Sequence, residues 1–213
     1  MPKLVIAVTL VLALACAKKD PFDPSFIEKD LKSRTAQDIH DTADKFTYDA
    51  PADRLLTEKQ IADFVRVVQL TTRIREIAER QLNQQVDRAS AQEGRTSRLG
   101  ESLAAVGSLR SYATAELRAC LNLGVNPKEQ QWVQTHIDES ISVIDQFVRL
   151  ENDIAAKKAE LDAEIDPVLV SRKRQIYDQA VQSKESWEAA QDPAVLANAH
   201  LVRKHRHELT ETR

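Results

Sequence analysis

Glycine is scarce in this chain, with four residues in 213: Gly94, Gly100, Gly107 and Gly124. So few leave no room for a phosphate-cradling loop, and neither GxGxxG nor GxxxxGKS/T occurs. Aromatic residues make up 5%, and no stretch alternates apolar with polar letters long enough for a half-buried strand. Cysteine is nearly absent. Cys16 and Cys120 are the only two, too few for a disulfide framework and without a CxxC pair. GxSxG, HExxH and EF-hand loops are missing as well. There is no basic excess either: 30 Lys and Arg stand against 33 Asp and Glu, a formal net charge of −3. That balance argues against a nucleic-acid surface, which needs a basic footprint. What is abundant is charge, at 30% of residues, together with Ala, Leu, Glu, Gln and Arg. These are strong helix formers, and the expected class is all-α.

The N-terminus differs from the rest. Lys3 gives a short positive start, Leu4 to Ala15 is apolar apart from Thr9, and Cys16 closes the run. It has the form of an export signal and is too short to span a bilayer. Its end, Ala13-Leu14-Ala15-Cys16, resembles the lipobox of bacterial lipoproteins. The resemblance implies cleavage before Cys16 and acylation of its thiol and amine with chains such as palmitate. One acyl chain holds a protein marginally, whereas several, at about 0.8 kcal/mol per buried CH₂, hold it firmly. The same letters also form an A-x-A site for ordinary secretory cleavage. If Cys16 escapes lipid, a disulfide to Cys120 becomes available in an oxidising compartment. The expected division is a removed signal peptide over residues 1–15, a lipidated cysteine and linker over 16–24, and a single helical domain over 25–213.

Within that body the start and stop signals are frequent. A helix begins near Ser25, with Phe26, Ile27 and Leu31 on one side and Ile39 further on, diluted by Thr35, Asp38 and Asp41. Phe46, Tyr48 and Pro51 mark an irregular connection. Thr57-Glu58-Lys59-Gln60 is a capping box, after which Ile61, Phe64, Val68, Ile74, Ile77, Ala78, Leu82 and Val86 trace a buried stripe to about Arg88. Ser90 to Thr96 reads as a loop. A third helix runs from Ser97 through Leu99, Leu103, Val106, Leu109, Tyr112, Leu117 and Cys120 to Leu121, with Gly100 and Gly107 one heptad apart at a close helix approach. Gly124 is placed to stop it in the left-handed conformation. Asn126-Pro127 restarts the chain, predicting an αα-hairpin.

The next helix spans about 127–165, ~58 Å at 1.5 Å per residue. Its charged second half is expected to project or to form a two-helix coiled coil. Asp166-Pro167 and Asp192-Pro193 open two more helices. The sum is an extended up-and-down bundle of about five to six helices joined by short loops.

Few residues invite a chemical role. None of the five histidines has Glu three residues before it, which excludes the Glu-x-x-His pairs of di-iron bundles. His200 and His207 lie seven residues apart, ~10.5 Å along a helix, too far for one zinc ion. With His205, Arg203, Lys204 and Arg206 they are expected to complement a helix C-terminus. His136 with Glu139 and Ser140 imitates a triad in letters, as polar residues at i+3 and i+4 commonly do on exposed helices. Arg172-Lys173-Arg174 reads as a solvated face, and Cys120 as a buried inert thiol. No catalytic, metal or cofactor site is expected, and the chain reads as a non-enzyme.

Two further resemblances bear on role. Leu56-Thr57-Glu58-Lys59-Gln60 matches the LTxxQ motif of periplasmic stress proteins of the Spy and CpxP type, which implies ATP-independent chaperone activity. Leu123-Gly124-Val125 with Glu129 and Trp132, followed by the Asp192-Pro193 tail and His205-Arg206-His207-Glu208-Leu209, looks like helical lipoproteins of Gram-negative bacteria with no assigned activity. The expectation is a non-enzymatic lipoprotein tethered through acylated Cys16 and facing the periplasm, at the outer rather than the inner membrane. It would have a structural role or bind a protein partner of the envelope, the alternative being a chaperone-like or stress-sensing protein.

Overall fold

The computed structural model describes residues 20–91 and 109–211. The signal segment, Cys16, most of the expected loop at 90–96, and Leu99, Gly100, Leu103, Val106 and Gly107 lie outside the described residues. Among those described there are helices and no strands: the protein is all-α.

Local side chains set the helix boundaries. Asx-Pro pairs open α1 (Pro24–Ser33), α5 (Pro127–Asp162), α6 (Pro167–Ala189) and α7 (Pro193–Lys204). At each, the Asx side chain accepts an amide hydrogen bond from the first turn, as at Ser25 N to Asp23, 2.8 Å, and Lys128 N to Asn126, 2.9 Å. The helix expected from residue 25 is two helices. Thr35 accepts from the Asp38 amide at 3.2 Å, while Asp38 accepts from the Thr35 amide at 2.8 Å. This capping box ends α1 and starts α2 (Ala36–Ala43), so the residues that diluted the expected pattern are the cap itself. The box at Thr57 and Gln60 forms as expected, with bonds of 3.0 and 3.2 Å, and opens α3 (Glu58–Ala91).

Helix α4 (Ala115–Leu123) follows a helical stretch at 109–113, broken at Thr114. It ends in a Schellman turn: Gly124 adopts φ +70°, and Val125 N donates to Cys120 O at 2.8 Å. The expected stop and restart is present, although α4 packs chiefly on α3 rather than on α5. Helix α5 ends at Asp162, short of the expected 165, and Ile165 is 92% exposed. The expected last helix also divides, into α7 and α8 (Arg206–Glu211) at His205.

Helix α3 carries two apolar clusters in series. Ile61, Phe64 and Val65 pack with Val133, Ile137 and Ile144 of α5, Ala199 and Val202 of α7, and Leu209 of α8. Further along, Val67, Leu70, Ile74 and Ile77 pack with Ile27 of α1 and Ala115, Ala119 and Cys120 of α4. The expected stripe stops there. Leu82 is half-buried and Val86 exposed, because the inward face continues through Ile77 into Gln81, Gln84 and Arg88.

Helices α5 and α6 form an antiparallel arm. Lys173 donates to Glu160 O and pairs with Glu164 at 2.7 Å, while Phe147 meets Trp187 edge-on at 5.1 Å. The partner's residue number rises along α6 as it falls along α5. Lys173 therefore clips the arm's turn and is not the solvated residue expected of the basic triplet; Arg172 and Arg174 are exposed.

Candidate functional site

The chemistry-bearing residues singled out in the sequence do not converge. Ser140 donates its hydroxyl to His136 O at 2.6 Å, and His136 Nδ1 lies 2.9 Å from Trp132 O. Both groups satisfy their own helix, so no nucleophile–base contact exists there. His200 lies beside Phe147, with ring centroids 6.4 Å apart, and His207 is exposed. Among the described residues no group of three His, Cys, Asp or Glu is arranged to hold a metal ion. Cys120 is buried, and burial with the nearby Glu116 charge pushes its thiol up to about 12, so it stays protonated at neutral pH and is a poor nucleophile. The LTxxQ letters are a cap plus a tie: Leu56 is buried, and Gln60 Nε2 donates to Glu129 at 2.9 Å and Tyr48 at 3.2 Å. Cys16, the expected lipidation site, lies outside the described residues.

His205 has a structural partner instead. Its Nε2 bonds Glu58 at the start of α3 and its Nδ1 lies 3.3 Å from Glu208, tying α8 to the bundle. Desolvation alone would lower its pKa, but the two carboxylates outweigh this and raise it above 6.5. A raised folded pKa adds stability that is fully present below the unfolded value and lost as pH rises through the folded one. The opening free energy of α8, taken from amide exchange corrected for the intrinsic rise of exchange with pH, should therefore fall as pH rises from below 6.5 through the folded value, and Glu58→Gln should flatten the response. A corrected opening free energy that does not change with pH in the wild type would contradict this.

The feature that the sequence did not disclose is a buried cation. Arg118 of α4 is 0% exposed. Its Nε donates to Thr114 Oγ1 at 3.2 Å, Nη1 to the Asp30 carboxylate at 3.0 Å, and Nη2 to Arg34 O at 2.7 Å. Asp30 also accepts from Arg34 Nε at 2.6 Å, and Arg34 reaches Asn122 Oδ1 at 2.6 Å. Two guanidiniums thus share one carboxylate at the junction of α1 and α4. The signal was present as spacing: Ala115, Arg118, Ala119 and Asn122 lie on one helix face, which places Arg118 among core residues.

Above this junction lies a groove of about 1100 Å³ between α1, α2, the later turns of α3 and residues 110–114. Among the described residues Lys32, Arg34, Arg80, Arg88 and Arg110 line it, against one carboxylate, Glu28. Gln37, Gln81, Gln84 and Gln85 add amides. A second kind of surface lies on the arm. Ile165 and Val168 are 92% and 77% exposed, and Leu169 and Ile176 are partly so, at 43% and 41%.

Comparison with known proteins adds no family: no family model, curated protein or solved structure matches this chain. Among the described residues no helix is long and apolar enough to cross a membrane.

Proposed function

We propose that this protein is a non-enzymatic lipoprotein of the bacterial cell envelope. It is held through acylated Cys16, faces the periplasm at the outer membrane, and binds a protein partner through the α5–α6 arm. The observation that carries the reading is the uncovered apolar set on that arm, Ile165, Val168, Leu169 and Ile176. Single exposed aliphatics are ordinary, but four within twelve residues make a patch of the kind that marks protein contacts. A chaperone-like role, the second reading, calls for a concave apolar cradle. The groove beside α1 and α2 is lined mainly by arginines and glutamines, and the aliphatic surface lies on the arm, which favours a defined partner.

Two measurements test the halves separately. Intact mass of the mature protein should show a chain starting at Cys16 carrying diacylglyceryl and acyl groups, in the membrane fraction. An unmodified soluble chain would overturn the tether. Photocrosslinking in cells from position 172, beside the apolar set, should capture one defined envelope protein. A ladder of unrelated products would point to the chaperone-like reading.

A further inference from the structure

We propose that the groove between α1, α2 and α3 binds a ligand carrying two or more phosphate groups on a hydroxyl-rich frame, a polyol or sugar phosphate, either free or as a lipid headgroup. The inference does not depend on the tether or on the arm.

Charge is the first argument. The chain is acidic overall, yet among the described residues five cationic side chains line this one concavity against a single carboxylate, Glu28. Lys32, Arg88 and Arg110 make no ion pair with a described residue. Concave walls of low dielectric focus such a field, so a cluster here attracts anions more strongly than the same charges spread over a convex face. Four of the five are arginines, whose planar forks match phosphate oxygens two at a time.

The floor is the second argument. Arg34 and Thr114 both line the groove, and both are held from beneath by Arg118, through Arg34 O and Thr114 Oγ1. Arg118 and Arg34 have Asp30 as their one carboxylate partner in direct contact. Asp38 acts on both guanidiniums through space, while its carboxylate is held by the Thr35 amide and hydroxyl at 2.8 and 2.7 Å. The floor is thus fixed before any ligand arrives, which lowers the ordering cost of binding.

Size and lining give the class. A volume of about 1100 Å³ is at the upper end for small-molecule sites and far exceeds one phosphate, so the five cations would meet several anionic groups. The glutamines supply both donors and acceptors, which suits hydroxyls. Among the described residues no Phe, Tyr or Trp lines the groove, and His40 is its one aromatic ring, so it lacks the successive stacking platforms of single-stranded nucleic-acid sites.

The test is calorimetric titration of the full chain in neutral detergent with inositol hexakisphosphate. Saturable one-to-one binding is expected, weakening with added salt. The exposed pair Arg80→Gln/Arg110→Gln should lower affinity roughly tenfold or more, with an unchanged thermal melt. Arg172→Gln/Arg174→Gln on the arm should leave it unaltered. Repeating the titration in micelles doped with phosphatidylinositol bisphosphate separates the sources. Competition by the lipid supports a headgroup ligand, and its absence supports a free one. The proposal is overturned by no saturable binding at low salt, by equal losses in the groove and arm variants, or by an unstructured oligonucleotide that binds the groove more tightly than the probe does.

Discussion

Asp30→Ala should destabilise the protein by about 3–5 kcal/mol, read as a loss of unfolding free energy in urea. The substitution leaves the Arg118 guanidinium fully buried without its carboxylate. Arginine cannot escape by losing its proton, so the charge stays and its desolvation is no longer offset. Asp30 is itself only 8% exposed and also holds Arg34 at 2.6 Å, so both guanidiniums lose their shared partner. Arg118→Ala should fall in the same range for a different reason. It strips donors from Asp30 O, Arg34 O and Thr114 Oγ1 and leaves a void where a long side chain stood. Removing both charges with apolar residues of similar volume, Asp30→Leu/Arg118→Met, should be less harmful than either alanine variant, because no fully buried charge is left unpaired and Arg34, 33% exposed, can turn to water. A loss under 1 kcal/mol for Asp30→Ala would show that water reaches Arg118.

This junction also shows where sequence reading stops. The caps at Thr57, Asn126, Asp166 and Asp192 were legible because each is satisfied within three residues, by bonds the letters themselves specify. Gly124 was legible for the same reason, since only its own turn requires φ +70°. Thr35 and Asp38 carry an equally local signal, but they lie between two short apolar stretches that read as one helix. Arg118 is of another kind. Its carboxylate is 88 residues away in the chain, and nothing in either segment announces the other.

Asn198 is hidden in the same way. It accepts from Leu56 N at 2.8 Å and donates to Arg54 O at 2.9 Å, fixing a left-handed Arg54 at φ 56° from 142 and 144 residues away. The groove is assembled from three separate stretches of chain, residues 28–40, 77–88 and 110–114, none with a motif. Its cations were visible only as members of an evenly charged composition. Sequence periodicity places what a helix does for itself, and the long-range pairings that build this site leave no periodic trace.

Ile137→Ala should lower stability by about 2–5 kcal/mol, whereas Ile165→Ser should change it by no more than about 0.5 kcal/mol. Both are isoleucines, so the contrast isolates environment from residue type. Ile137 has no exposure and sits where α3, α5 and α7 meet, and truncation there removes contacts on every side. Ile165 is 92% exposed at the turn of the arm, so its removal returns little apolar surface to water that was not already there. Selection for stability alone gives no reason to keep Ile165, Val168, Leu169 and Ile176 apolar, and each is an aggregation liability if nothing covers it. The proposed partner supplies that reason. The paired variant Ile165→Ser/Val168→Ser, at the two most exposed positions, should therefore keep the wild-type urea midpoint and lose the crosslinked envelope protein. If its midpoint falls as far as that of Ile137→Ala, the arm is packed against the bundle in solution and the surface assigned to the partner does not exist.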